Sequence, residues 1–197
     1  GYVTWTEGNT NVQQTSGADR VVGWKASTMG IRNGKWYFEI KAPTVGHQVF
    51  GVGPDTWDGQ DGAHANVFHV YINAGSAKYR YGPGTDESYT RTEATNDIYM
   101  FALDLDTPKL WFGYNGTWHA SGDPAAGDNP ISTQAITDTL FVSGSFYTDD
   151  EELHFNLGNP SYAISSSQSD DNGYGNFEYD VPAGFYAICT KNLAKYG

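Results

Sequence analysis

The sequence predicts an all-β protein, an antiparallel β-sandwich of two sheets. Three observations carry that expectation. Aromatic residues make up 15% of the 197 residues. Apolar side chains recur at every second position in several segments, and glycine and asparagine punctuate the intervals. Gly occupies 24 positions, about 12% against a usual ~7%, while Leu occurs only seven times. Aromatic and β-branched side chains suit pleated surfaces, and Gly and Asn suit turns. This composition excludes an all-helical fold. The length suffices for one domain with a full core, spanning residues 1–197.

The first clear strand is Lys35 to Lys41 (KWYFEIK), with Trp36, Phe38 and Ile40 on one face and Lys35, Glu39 and Lys41 on the other. Pro43 to Gly46 reads as a turn and His47 to Gly53 as the returning strand. In the next segment Phe68, Val70 and Ile72 share a face, and Ala77 to Tyr81 pairs back after a Gly-rich turn. Asp97 to Asn115 is the strongest signal: Tyr99, Phe101, Leu103 and Leu105 alternate, Thr107-Pro108 turns the chain, and Leu110, Phe112 and Tyr114 alternate again. Met100 and Ala102 make the second face of this arm apolar as well, as expected of a strand buried on both sides. Asn115-Gly116 signals a tight turn. Further strands are predicted at Leu140 to Phe146, Glu152 to Leu157 and Phe185 to Thr190. No window predicts an amphipathic helix, apart from one short turn within Ile131 to Thr139. Ser161 to Gly175 reads as a long polar surface loop.

The formal charge is −12 and the pI about 4.5. Such a surface repels phosphate backbones, so nucleic acid is not an expected partner. No apolar run approaches the ~20 residues that cross a bilayer, so membrane insertion is not expected either. The start of the chain lacks the basic and apolar regions of a secretion signal. A first residue other than Met predicts an excised or processed fragment. Cys189 is the single cysteine, which rules out an internal disulfide framework and a cysteine-rich zinc site.

The order of these segments resembles the SPRY domain family. Gly34 to Ile40 (GKWYFEI) resembles that family's opening motif, and Val49 to Gly53 (VFGVG) its following strand. Asp97 to Asp106 with Leu110 to Gly116 (LWFGYNG) resembles its central hairpin. His154 to Gly158 (HFNLG) resembles its closing strand, with Leu157 where Phe is usual. Four ordered motifs over about residues 30–160 are far more specific than any one of them. The resemblance implies a bent, concanavalin-like jelly-roll sandwich without catalytic residues, which holds a peptide or protein in a shallow pocket built from end loops. Residues 182–193 (PAGFYAICTKNL) resemble segments of bacteriophage tail and fibre proteins. The segment 176–197 is accordingly expected to pack on the sandwich or to leave it. These resemblances imply a virion or extracellular setting. The partner would be a protein or glycan on a host surface, or neighbouring virion subunits.

Glycosidases on such sandwiches set carboxylates along one strand as Glu-x-Asp-x-x-Glu. Here only Glu178-Tyr179-Asp180 begins that pattern, with Ala at 183. No Gly-x-Ser-x-Gly elbow and no phosphate-binding glycine loop occurs. An enzyme is not expected. Asp55, Asp58 and Asp61 crowd one loop as oxygen ligands that suit calcium, against the alternative of a solvated turn. Asp149 to Glu152 and Asp170 to Gly173 form two more acidic runs. Trp57, Tyr81, Tyr89 and Trp118 fall in or beside the loops at 54–66, 82–96 and 115–130. Exposed rings flanked by acids and amides would suit sugar stacking or a peptide groove, against the alternative of rings that plug the sandwich end.

Overall fold

The computed structural model describes residues 3–15, 22–60, 64–73, 76–82, 84, 87–89 and 91–197. In chain order the strands are β1 (Val3–Thr6), β2 (Asn11–Gln14), β3 (Val22–Lys25), β4 (Lys35–Ala42) and β5 (His47–Gly53). Then follow β6 (Phe68–Asn73), β7 (Ser76–Tyr81), β8 (Glu87–Ser88), β9 (Asp97–Asp104) and β10 (Lys109–Tyr114). The last are β11 (Thr117–Trp118), β12 (Phe141–Phe146), β13 (Glu152–Asn156) and β14 (Tyr186–Ala187), before a short helix α1 (Thr190–Tyr196). Two compact units share these elements. The first comprises Gly1–Gly30, Ala42–Asn96 and Thr137–Leu153, the second Ile31–Lys41, Asp97–Ile136 and His154–Gly197.

The first unit contains an antiparallel six-stranded sheet in the order β3-β12-β5-β6-β7-β8. The expected β6–β7 hairpin forms, with Val70 facing Tyr79. β5 does not return along β4, although the turn at Pro43 to Gly46 predicts that it should: it pairs with β6, Val49 facing Tyr71 and Phe50 facing Val70, and with β12. Phe50, Phe68, Val70 and Ile72 are fully buried, as their alternation predicts. β1 and β2 add a hairpin in which Trp5 faces Val12. Neither β1, β2 nor β3 stands out in the sequence, because each is only four residues long.

In the second unit the long hairpin forms as predicted, with Phe101 opposite Phe112 and Leu103 opposite Leu110. All eight residues of β9 are buried. Asn115 and Gly116 take φ values of 47° and 80° between β10 and β11. This is the turn whose positive φ at both central positions favours Asn-Gly. The opposite end of the hairpin is closed by Asp104, whose carboxylate accepts from the backbone of Asp106 and Thr107 and from the Thr107 hydroxyl, with Lys35 Nζ at 2.9 Å. Burial alone would raise the Asp104 pKa, but the Thr107 hydrogen bonds and Lys35 outweigh it and hold the carboxyl below its ordinary range. β13 runs antiparallel to β4, Phe155 opposite Ile40, while β14 joins β4 in parallel, Tyr186 opposite Trp36. Tyr37, Met100, Trp111, Phe177 and Phe185 pack into one cluster.

Further expectations need correction. Leu105 and Leu157 are only half-buried, since each lies one residue past its strand's end. Glu39 belongs to no solvated face: it is buried at the centre of a hydrogen-bond cluster with Tyr37 and Asn156. The strand predicted over Phe185 to Thr190 shortens to Tyr186–Ala187 and gives way to α1. That helix escapes an apolar-periodicity reading because its one buried residue is polar Asn192, bonded to Asp170 and the Ala187 carbonyl. Ile131 to Thr139 carries no helical turn. The 161–175 segment has no named strand, as expected of a loop, and it is anchored by buried Asp170, which accepts from the backbone of Asn172, Tyr174 and Ala187.

Candidate functional site

The residues after β5 fold back over the first unit's sheet instead of standing away from it. A turn closes with the Trp57 amide donating to the Pro54 carbonyl at 3.0 Å. The Trp57 ring then packs with Val49 and Val67, stacks on His69 at 5.8 Å and donates its indole N–H to the Gln60 carbonyl at 3.1 Å. Gly59 lies against β12: a Cβ there would come within 2.2 Å of the Gly144 carbonyl oxygen, and its φ of +83° already disfavours a side chain. Ser145 Oγ donates to the Gly59 carbonyl at 2.6 Å. On the β3 side, Lys25 Nζ donates to the carbonyls of Asp55 (2.7 Å) and Trp57 (3.5 Å), with the Asp55 carboxylate 3.6 Å away. The exposed Asp55 makes that ion pair worth little by itself.

The buried Ser145 bond is the stronger anchor. Ser145→Ala leaves the Gly59 carbonyl without its donor, and the expected cost is about 1–2 kcal/mol. Urea unfolding should register that loss, and amide exchange at Trp57 should accelerate with it. Unchanged exchange at Trp57 would mean that the loop does not depend on this bond.

An open cleft of about 520 Å³ lies between β3 and this loop, lined by Gly23, Trp24, Lys25, Trp57, Asp58 and Gln60. Two smaller clefts of about 210 Å³ each share one lining residue with it. One shares Lys25 and reaches Trp5, Asn9 and Thr28; the other shares Trp57 and reaches Pro54, His64 and Asp138. Trp5 meets the Trp24 ring edge-on at 6.5 Å, and Trp24 tilts onto Phe146 at 5.7 Å. The main cleft is a trough edged by the indoles of Trp24 and Trp57. Its walls are set by packing and its floor by β-ladder geometry, so the trough is preformed.

Of the four aromatic candidates, only Trp57 lines this trough. The expectation of exposed rings fails at Trp57 and Tyr89, which are 4% and 5% exposed. The reason is that both loops turn inward. Trp57 fills the space under its own loop, and the Tyr89 amide bonds the Ala77 carbonyl, setting its ring 6.4 Å from Tyr79. Tyr81, half-buried, ends β7 opposite Phe68. Trp118, also half-buried, lies in the second unit edge-on to Tyr37 at 6.4 Å. Sequence reasoning misses Trp5, Trp24 and Lys25. The available signal is the alternation of Val3 with Trp5 and of Val22 with Trp24, too short to mark a strand.

Asp55 and Asp58, two of the three calcium candidates, are engaged within the loop. Asp55 faces Lys25, and Asp58 accepts from the Gln60 amide at 3.1 Å and the Gln60 side chain at 2.8 Å. Asp61 lies outside the described residues. Among the described residues no three His, Cys, Asp or Glu side chains converge as metal ligands do. Glu178, of the incomplete glycosidase pattern, binds the Ser165 amide at 2.8 Å and the Ser165 hydroxyl.

No family model and no curated protein matches this chain. Solved structures do. The SPRY domain of human HERC1 is similar at 17% identity with a TM-score of 0.52, covering 76% of this chain and 89% of that one. A human SPRY domain is similar at 13% identity with a TM-score of 0.55, covering 79% and 94%. The PSpry domain of TRIM65 is similar at 12% identity with a TM-score of 0.56, covering 78% and 83%. The fold is the two-sheet antiparallel β-sandwich of SPRY domains.

Proposed function

We propose that this chain is a non-enzymatic recognition module that holds a segment of a partner protein in the trough beside β3. The observation that carries the proposal is the preformed trough itself, edged by Trp24 and Trp57, on the fold of a family whose resemblance implies protein binding. A protein partner is favoured over a glycan by the rings' burial. Sugar stacking needs an open aromatic face, and Trp24 and Trp57 are only 6% and 4% exposed, so each offers little more than an edge. The virion or extracellular setting belongs to the same proposal and is supported by the resemblance of residues 182–193 alone.

Selection of a displayed random-peptide library on the whole chain tests the reading. Gln60→Trp fills the main cleft from an exposed position and spares the Trp57 contact, which uses the Gln60 backbone. Selected peptides should bind the wild type and lose at least tenfold in affinity against Gln60→Trp, with thermal unfolding unchanged. Peptides indifferent to that substitution, or no selected peptides at all, would overturn the proposal.

A further inference from the structure

We propose that the partner segment binds as an added β-strand, its main chain pairing with the open edge of β3 and one apolar side chain seated beside Trp24 and Trp5. The inference rests on the trough being a peptide site and adds the form that its occupant takes.

The ladder decides which main-chain groups are open. The six-stranded sheet ends at β3, which pairs with β12 alone among the described strands. In an antiparallel pair, residues that bond their opposite number alternate with residues that direct N–H and C=O away from it. The Ala26 amide donates to the Val142 carbonyl at 2.8 Å, and the same register makes Trp24 and Gly144 a bonded pair. Gly23 and Lys25 therefore turn their N–H and C=O groups outward. Among the described residues none of these four groups has a hydrogen-bond partner. Gly23, Trp24 and Lys25 also line the main cleft, so the open groups and the trough share one stretch of chain.

Proteins commonly blunt a sheet edge by keeping it very short or by standing a lysine over it. β8 and β11, which end a sheet elsewhere, are two residues long. β3 has four, and its lysine stands guard over nothing: Lys25 Nζ is turned onto the Asp55 and Trp57 carbonyls. The loop covers the face of β3 and not its edge. A Cβ at Gly23 would collide with the Asp58 carbonyl oxygen on that face, yet Gly23 is exposed. An open edge beside a preformed cleft suits an extended peptide, whose main-chain bonds give affinity and whose alternate side chains give specificity. The residue set opposite Trp24 points its side chain to the face that holds Trp24 and half-buried Trp5, so an apolar group is preferred there. Its two neighbours point to the loop's face, where Trp57, Asp58 and Gln60 form a mixed lining.

The probe is the tightest peptide from the displayed library, resynthesised with one backbone N-methyl group at each position in turn and titrated against the whole chain by fluorescence anisotropy. N-methylation should weaken binding roughly tenfold at alternate residues, the scale of one lost hydrogen bond, and less than about twofold at the residues between. Amide exchange followed by NMR reads the protein side. In the free chain the Gly23 and Lys25 amides should exchange roughly tenfold faster than that of Trp24, and saturating peptide should close the gap. Losses without a period of two, or unchanged exchange at Gly23 and Lys25 in a complex that Gln60→Trp abolishes, would overturn the proposal while leaving the trough as the binding site. A chain that dimerises, with both amides protected before any peptide is added, would give the edge to a second copy and overturn it as well. Peptide binding indifferent to Gln60→Trp, or no selected peptide, would remove the trough itself.

Discussion

Phe101→Ala is expected to lower the unfolding free energy by about 4 kcal/mol. Phe101 is fully buried on β9, and its ring lies parallel to that of Phe38, with centroids 4.8 Å apart and planes 4° from parallel. Removing the ring forfeits its transfer free energy, leaves a cavity and loses an aromatic pair worth roughly 0.5–1.5 kcal/mol. For a chain of this length the melting temperature should fall by about 10 °C. Equilibrium urea denaturation measures the effect directly. A loss below about 1 kcal/mol, the scale of an ordinary substitution, would contradict the packing described for this unit.

Glu39→Gln should cost about 3 kcal/mol although it conserves shape, because it reverses hydrogen-bond polarity at a fully buried position. Oε1 of Glu39 accepts from the Tyr37 hydroxyl (2.9 Å) and the Tyr179 amide (2.9 Å). Oε2 accepts from the Asn156 side chain (3.2 Å), the Glu178 amide (3.1 Å) and the Tyr162 hydroxyl (3.4 Å). A glutamine NH₂ on either side confronts a backbone N–H with another donor, which leaves that amide unsatisfied. Burial pushes the Glu39 pKa above its ordinary 4.5, and the hydrogen bonds pull it partly back. A carboxyl raised in the folded state favours folding most at low pH. Its share of stability falls as pH rises from about 4.5 through the raised folded value. Glutamine does not titrate, so the variant should lack that part of the decline, and its deficit against wild type should be largest at low pH and shrink as pH rises. A variant as stable as wild type would mean that the amides of Glu178 and Tyr179 find acceptors elsewhere.

Burial at Glu39 also marks where the sequence ceases to be legible. Alternation reveals that Glu39 points opposite to Phe38 and Ile40, but not that residues 176–179 return to cover that face. The hairpin from Asp97 to Asn115 is readable because its pattern, its turn and its partner are local. The same is true of β6 and β7. The trough is not readable as a site, since Trp24 and Trp57 come to line one cleft only after β3 reaches β12 and the loop folds back on both. Trp57 is visible as a loop aromatic, and the inference from loop to exposure is the faulty step. A loop with glycine at 59 and a serine at 145 to receive it can lie flat on a sheet. Nothing in the local sequence announces that meeting.

The parallel ladder between β4 and β14 bears on synthesis. Trp36 and Tyr186 are neighbours in that ladder but leave the ribosome about 150 residues apart. The second unit is assembled from three stretches of chain, and the buried Phe177, Phe185 and Ala187 all come from the last of them. Until that stretch emerges, Tyr37, Met100 and Trp111 lack the rings that pack against them. Contacts this distant along the chain make folding slow. A nascent chain at this stage exposes its apolar surface for seconds at ordinary elongation rates, the interval in which a chaperone has the most to bind.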